Sequence, residues 1–161
     1  MIRRFASLGI AGVAMIGILG TGLSSVFAAD EPPRRISISG TVYLEDDETF
    51  GDDECHYGVT DNDVVYGYQQ VVINQDWSCG GEVLGTLYGV ADLMPGGAIR
   101  YHGQVILREG TCGCLGDSIR AIKDFDQVIL PETNAHVDPG NVSWDGGDDV
   151  HIQFRAYNSS L

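Results

Sequence analysis

Short segments in which apolar and polar residues alternate recur along this chain, and they constrain its fold more than any other feature. The clearest lies at residues 150–157, where the apolar positions are Val150, Ile152, Phe154 and Ala156. A repeat of two residues places such positions on one face of a β-strand. Residues 36–44 and 99–107 show the same period, and residues 83–93 show it more loosely. The pattern therefore predicts a chain made largely of half-buried strands.

Turn-forming residues separate these segments, as in Pro95-Gly96-Gly97 and Asp138-Pro139-Gly140. Residues 64–73 are predicted as a further strand, interrupted near Gly67. Residues 119–130 fit either a helical stripe or a strand, and their similarity to residues 64–73 favours a strand. Because no helices alternate with these strands, we predict an all-β fold, an antiparallel β-sandwich of roughly eight strands with Greek-key-like connections.

The N-terminal segment predicts export. Arg3 and Arg4 precede an apolar stretch, and Val26 and Ala28 fit the −3 and −1 positions of a signal-peptidase site. We predict a signal peptide at residues 1–28 and a single secreted domain at residues 29–161, extracellular or periplasmic. A retained membrane anchor is the alternative.

Acidic residues dominate the charge: 23 Asp and Glu stand against 9 Lys and Arg, which gives a net charge of −14. Binding to a phosphate backbone or to an anionic membrane requires a basic face. The composition therefore argues against nucleic acid as a partner, and against a membrane once the signal peptide is removed.

Cysteine usage agrees with export. The four cysteines all lie in the predicted mature part: Cys55, Cys79, Cys112 and Cys114. Four cysteines in a small exported chain predict two disulfides, with three pairings open. Because a bond between Cys112 and Cys114 would close a very tight ring, we expect each of them to pair elsewhere. A metal site that uses His56 or His102 is the alternative.

The chain resembles two copies of one unit. Residues 36–44 match residues 99–107 at their glycine, valine, leucine and first isoleucine, and three later segments match in the same order. These are residues 51–52 with 116–117, 68–73 with 125–130, and 78–82 with 143–148. We predict internal repeats at residues 36–93 and 99–158. The alternative is that short strands and Gly-Gly turns resemble one another in any β protein.

The densest chemical feature is a run of seven carboxylates within residues 45–54, which directly follows a predicted strand. Like charges held in one folded loop repel unless a cation compensates them, and Ca²⁺ prefers such oxygen ligands. The other interpretation is a solvated loop that keeps the protein soluble. Asp145, Asp148 and Asp149, in a second Gly-Gly turn, would add ligands only if the fold brings the two loops together.

The strand with its acidic loop resembles a calcium loop of C2-type β-sandwich domains, and residues 43–51 are similar to the Greek-key motif of βγ-crystallins. Each resemblance covers about fifteen residues. The C2-type resemblance implies Ca²⁺ as the bound ion, with Asp46, Asp47, Asp52 and Asp53 as its ligands.

Two fragments are similar to motifs of GDS-type serine hydrolases: residues 116–119 and the Asp-x-x-His of residues 148–151. That resemblance implies Ser118 as nucleophile, His151 as base and Asp148 as the carboxylate that orients it. The family has a doubly wound α/β fold, however, for which the chain lacks room. No catalytic residue is therefore predicted.

These features favour a secreted, non-enzymatic binding or structural protein that takes up Ca²⁺ through its acidic loop and has a protein or carbohydrate partner. The first alternative is an extracellular interaction protein such as an adhesin, an inhibitor or a toxin-like effector. Trp77 and Trp144 would offer such a protein an aromatic platform if both are exposed; packing in the core is the other interpretation. The second alternative is the small serine hydrolase.

Overall fold

A computed structural model describes residues 31–48, 51–109, 118–144 and 147–161, and these residues form nine antiparallel strands. Their bounds are β1 Arg34–Glu48, β2 Gly51–Val65, β3 Val71–Cys79, β4 Val83–Leu93, β5 Ile99–Glu109, β6 Ser118–Ile129, β7 Thr133–Val137, β8 Val142–Ser143 and β9 Asp149–Ser160. A short 3₁₀ turn at Pro95–Gly97 joins β4 to β5, and no α-helix occurs within the described ranges.

The strands form two sheets. Sheet I has the order β2-β1-β9-β7, with β8 also beside β9, and sheet II has the order β3-β4-β5-β6. The two sheets pack over one apolar core, so the predicted all-β antiparallel sandwich is confirmed. Successive strands pair within a sheet or, at β2–β3 and β6–β7, meet where the two sheets adjoin; β7 and β8 both pair with β9, which returns to β1. The connections are therefore up-and-down, in place of the Greek-key-like order that was expected.

The inner strands of each sheet supply much of the core. In β1 and β5 the apolar positions alternate, as the sequence predicted, and their side chains are almost wholly buried. Burial of one such aliphatic side chain stabilises the fold by about 1.5–3 kcal/mol. Three rings from both sheets meet in the middle, because Tyr101 and Phe125 of sheet II pack against Phe154 of sheet I.

Most predicted strands are found, among them the ambiguous residues 119–130, which form β6 and the residue after it. The interruption expected near Gly67 is a turn at residues 66–69, which separates β2 from β3. One prediction about local structure is wrong: the acidic run is not a loop, since it continues β1 and begins β2. Strand β2 gave little signal, because of its fifteen residues only Val59 and Val65 are buried.

One disulfide, Cys55–Cys79, joins β2 at the edge of sheet I to the end of β3 at the edge of sheet II, with 5.7 Å between the Cα atoms. It closes one side of the sandwich, where β2 and β3 do not pair in a backbone ladder. The expectation that Cys112 and Cys114 pair with these two cysteines is wrong, because the fold places Cys55 beside Cys79. Cys112 and Cys114 themselves lie outside the described residues.

The predicted signal peptide, residues 1–28, also lies outside the described residues. In the part of the chain that the structure describes, no helix has the length and apolar character needed to cross a membrane.

Candidate functional site

The acidic run forms the end of a long hairpin, and its carboxylates face each other across two hydrogen-bonded strands. We call residues 45–47 of β1 and 52–54 of β2 the acidic hairpin. Its cross-strand pairs are Glu45 with Glu54, Asp46 with Asp53, and Asp47 with Asp52. Directly opposed side chains have Cβ atoms about 4.5–5.5 Å apart, and like charges at that distance are destabilising. Three consecutive pairs therefore concentrate negative charge at one end of the sandwich.

The register divides the four predicted calcium ligands into two pairs. Opposed residues share a face, and successive residues alternate between faces. Asp46 and Asp53 thus lie on the face that Leu44 turns toward the core, while Asp47 and Asp52 lie on the other face. The structure brings each pair together but does not bring all four residues to one point.

Two glycine turns pack against the acidic hairpin, one beside each β1 aspartate. Asp46 is 2% exposed, and its carboxylate lies against Gly80 in the turn between β3 and β4. Asp47 has its carboxylate against Gly147, before β9. A Cβ atom at either glycine would overlap that carboxylate, so glycine permits the close approach in both turns. The fold thereby adds two neighbouring turns to the hairpin end.

The second acidic turn is brought to the hairpin, as the calcium interpretation required. The backbone N–H of Asp47 donates to Asp148 Oδ1 at 3.3 Å, and Asp149 pairs with Glu45 in the ladder of β9 and β1. Burial raises the pKa of Asp148, and the charges of Glu109 and Asp47 raise it further, whereas the hydrogen bond from Asp47 opposes them. Asp148 is 5% exposed, and burial disfavours the ionised form of its carboxyl group.

The negative charge of the acidic hairpin also affects the pKa of a neighbouring tyrosine, Tyr43. The Tyr43 hydroxyl donates to Glu45 Oε2 at 3.0 Å. Burial, that hydrogen bond and the charges of Glu45, Glu54 and Asp149 together raise the pKa of Tyr43 to about 12. A tyrosinate would add one more negative charge to those already crowded there, which is why the neutral form is favoured.

The described side chains do not form a ready chelating site. Among residues 31–48, 51–109, 118–144 and 147–161, no group of three or more His, Cys, Asp and Glu side chains is arranged to hold a metal ion. The acidic hairpin therefore offers pairs of carboxylates rather than a closed set of ligands, and an ion bound there would keep water in several coordination positions.

The hydrolase residues are engaged elsewhere. Ser118 Oγ donates to the carbonyl of Glu109 at 3.5 Å, and His151 Nε2 lies 3.0 Å from Asp138 Oδ1. Asp148 accepts from the Asp47 backbone instead of orienting His151. No hydrogen bond in the described part of the chain joins Ser118 to His151, so the contact that activates a serine nucleophile is missing from this arrangement.

The two tryptophans do not form a shared platform. Trp77 lies on β3 and packs against the core, and Trp144 follows β8, with the Arg120 guanidinium carbon 4.4 Å from the ring centroid. Both are half-buried. The core-packing interpretation describes their surroundings better than an exposed binding surface does.

Sequence reasoning missed a cavity of about 440 Å³ on the outer face of sheet II, whose floor is Gly103 of β5. Its polar side chains include Arg100, His102 and Gln104, the positions that alternate with the buried residues of that strand. The same period that located the core could have indicated them, because every second residue of a half-buried strand must face outward. The sequence of β5 alone could not predict which residues of β4 and β6 lie beside these side chains.

The chain matches no protein family, no curated protein and no solved structure.

Proposed function

We propose that this protein is an exported, non-enzymatic β-sandwich module that binds Ca²⁺ at its acidic hairpin and a protein or carbohydrate partner elsewhere. The observation that carries the calcium proposal is the run of three opposed carboxylate pairs, Glu45/Glu54, Asp46/Asp53 and Asp47/Asp52. A divalent cation beside the ladder would remove the repulsion that each pair otherwise adds to the folded state.

Export is supported by two features of different kinds. The N-terminal 28 residues have the charge and residue pattern of a cleaved signal peptide. The Cys55–Cys79 bond is of the type that persists in oxidising compartments. A protein secreted into a medium that contains millimolar Ca²⁺ needs only weak affinity, and extracellular modules typically bind Ca²⁺ at about 10⁻⁴–10⁻³ M.

Asp47 and Asp52, the pair that faces outward, are more accessible to an ion than Asp46 and Asp53. Asp52 is exposed on β2, and Asp47 is exposed on β1 between Asp52 and the turn at Gly147. Asp46 is buried against Gly80 and has less room for a hydrated ion. Mg²⁺ holds its waters in a stricter octahedron, so an open pair of carboxylates favours the more adaptable Ca²⁺.

Calorimetric titration with Ca²⁺, together with melting curves in Ca²⁺ and in EDTA, tests the proposal on the mature protein. We expect binding near millimolar concentration and a melting temperature that rises by a few degrees in Ca²⁺. The double variant Asp47→Asn/Asp52→Asn should melt higher than the wild type in EDTA, because the repulsion is gone, and should no longer respond to Ca²⁺.

A matched control variant is available on β2, the strand that carries Asp52. Asp61→Asn/Asp63→Asn also removes two negative charges from the protein, and burial together with Asp61 raises the pKa of Asp63, so this pair is crowded as well. The control should keep the calcium response. The absence of heat and of any melting shift in the wild type would end the calcium proposal, as would equal losses in both variants.

We also propose that the two halves of the chain descend from one repeat. Strands β1–β4 and β5–β9 follow the same path: a hairpin, a crossing to the other sheet, then a second hairpin. Gly40 and Gly103 lie at matching places in β1 and β5, and each presses against the neighbouring strand, β9 or β4. One sequence match lends no support, since residues 71–73 lie on β3 and residues 125–129 lie on β6, and these two strands are not equivalent in this path.

A further inference from the structure

The outer face of sheet II carries the cavity above Gly103, at the side of the sandwich away from the core. It has a volume of about 440 Å³ and is open to solvent. Strands β4, β5 and β6 all contribute to its lining, so its shape depends on the ladder rather than on a single loop. Its size is in the range of ordinary small-ligand sites.

The polar side chains in and around the cavity are fixed by pairs across the strands. Arg100 donates twice to Asp126, at 2.9 and 2.6 Å, and the Gln104 amide donates to Asp124 at 2.9 Å. These groups are oriented before any ligand arrives, which reduces the entropy that binding would cost. Each carboxylate oxygen still has a lone pair free to accept a second hydrogen bond.

The charged side chains that line the cavity are one cation and two carboxylates. Arg100 neutralises Asp126, whereas Asp124 accepts a hydrogen bond from the uncharged Gln104 amide and keeps its negative charge. His102 Nε2 lies 3.1 Å from Asp92 Oδ2, just beyond the cavity wall. An anionic ligand would therefore be repelled by Asp124, whereas a neutral ligand with many hydroxyl groups would find donors and acceptors already in place.

One wall of the cavity is apolar. Tyr88 of β4 lies directly opposite Gln104 in the ladder, and its side chain is 40% exposed. Val90, two residues further along the same face, lines the cavity as well. An exposed aromatic ring next to fixed hydrogen-bonding groups suits a ligand that has an apolar face and a polar rim.

We propose that this cavity is a saccharide-binding site for a neutral sugar residue, whose C–H face packs on Tyr88 while its hydroxyls bond Gln104, Asp124 and the Arg100–Asp126 pair. This rests on the proposed role as a binding module and does not depend on Ca²⁺. The acidic hairpin contributes no residue to the cavity lining.

A comparison within the molecule supports the choice of this cavity. A second depression of about 190 Å³ lies at Gly40 on sheet I and is lined by Ser39, Thr41, Gln153 and their neighbours. Phe154 lines this depression but is 1% exposed and turned into the core, so its exposed ring is the imidazole of His136. The cavity at Gly103 is larger and carries the phenol ring of Tyr88 beside fixed hydrogen-bonding groups.

Affinity electrophoresis of the mature protein in native gels tests the proposal. The gels contain, one at a time, soluble neutral polysaccharides that differ in sugar and linkage: hydroxyethyl cellulose, xyloglucan, galactomannan, dextran and pullulan. We expect at least one of them to retard the wild type. Retardation should be at least tenfold weaker for Tyr88→Ala and clearly weaker for Gln104→Ala, and EDTA should not change it.

Tyr68→Ala is the matched control, because Tyr68 is 71% exposed and lies outside the cavity. It should be retarded like the wild type. Melting curves show whether each variant is folded. If Tyr88→Ala does not fold, the retardation of Gln104→Ala tests the proposal. The proposal is overturned if no neutral polysaccharide retards the wild type, or if retardation persists in the folded cavity variants. Loss of retardation in EDTA would instead assign the sugar to the calcium site.

Discussion

At the residue scale, Asn158 illustrates how one buried polar side chain connects both sheets. It lies on β9 and is fully buried, yet every polar group of its amide is paired. Its Nδ2 donates to the carbonyls of Gly97 and Ile129 at 2.9 and 3.0 Å, and its Oδ1 accepts from Arg34 Nε at 2.9 Å. A buried amide is tolerable only when its hydrogen bonds are made, and here they fix where the end of sheet I meets sheet II.

Asn158→Ala should destabilise the protein by roughly 2–4 kcal/mol, because the substitution removes a hydrogen-bond partner from two buried carbonyls and from the Nε–H of Arg34. Urea unfolding curves measure the loss. Asn134→Ala on the exposed edge strand β7 is the control and should cost no more than about 0.5 kcal/mol. Equal effects of the two substitutions would show that the Asn158 network adds nothing to stability.

At the element scale, one of the two inner strands of each sheet contains a glycine that lets the neighbouring strand come close. A Cβ atom on Gly40 of β1 would overlap the β9 backbone at Gln153 and Phe154. One on Gly103 of β5 would overlap the β4 backbone at Tyr88 and Gly89. Since a main chain cannot move aside as a flexible side chain can, both positions require glycine.

Gly40→Ala and Gly103→Ala should each destabilise the fold, by about 1–3 kcal/mol and by similar amounts, because each forces two paired strands apart. Thermal melts of the two variants measure the effect. Gly58→Ala on β2 is the control, since no atom lies within 4 Å of the position its new methyl group would take, and it should be close to neutral. A large difference between Gly40→Ala and Gly103→Ala would weaken the proposed equivalence of β1 and β5.

At the scale of the whole molecule, the sandwich has two open sides where strands of different sheets meet without a ladder. Strands β2 and β3 meet on one side, and β6 and β7 meet on the other. The Cys55–Cys79 bond closes the first side, close to the acidic hairpin, and Cys79 Sγ lies 3.2 Å from the carbonyl of Asp53. The covalent tie thus holds the charged end of β2 against the neighbouring sheet.

The double variant Cys55→Ser/Cys79→Ser should lose about 3 kcal/mol of stability, because the bond spans 24 positions of the chain and its removal frees the unfolded state. Guanidinium unfolding under oxidising conditions measures this loss. In strong reductant the variant and the wild type should unfold at nearly the same concentration. A variant as stable as the oxidised wild type would contradict this role for the bond.

Much of the fold was predictable from the sequence because the central strands carry their pattern locally. In β1, β5 and β9 most alternate residues are apolar and buried, so the period alone identified these strands. Strand β2 was missed because an edge strand exposed to water needs no such alternation. The acidic run was mistaken for a loop for the same reason, since its carboxylates suggest a solvated turn unless the partner strand is known.

The candidate sites depend on residues that are distant in sequence. Asp53 lies opposite Asp46 and Asp52 lies opposite Asp47, and the division of these pairs between two faces follows from register, which a run of carboxylates does not reveal. The cavity at Gly103 combines Tyr88, Gln104 and Asp124 from three strands. No local pattern joins them, because their proximity exists only once the strands have paired.

The sequence by itself determined the class of this protein: alternating apolar residues require sheets, and turn residues separate the strands. The tertiary structure alone decided the order of those strands, the partner of each cysteine in the Cys55–Cys79 bond and the groups that face one another across the ladders. The physical reason is range. Periodicity and turn chemistry act between residues a few positions apart, whereas register, disulfide pairing and cavities depend on how distant segments share one core.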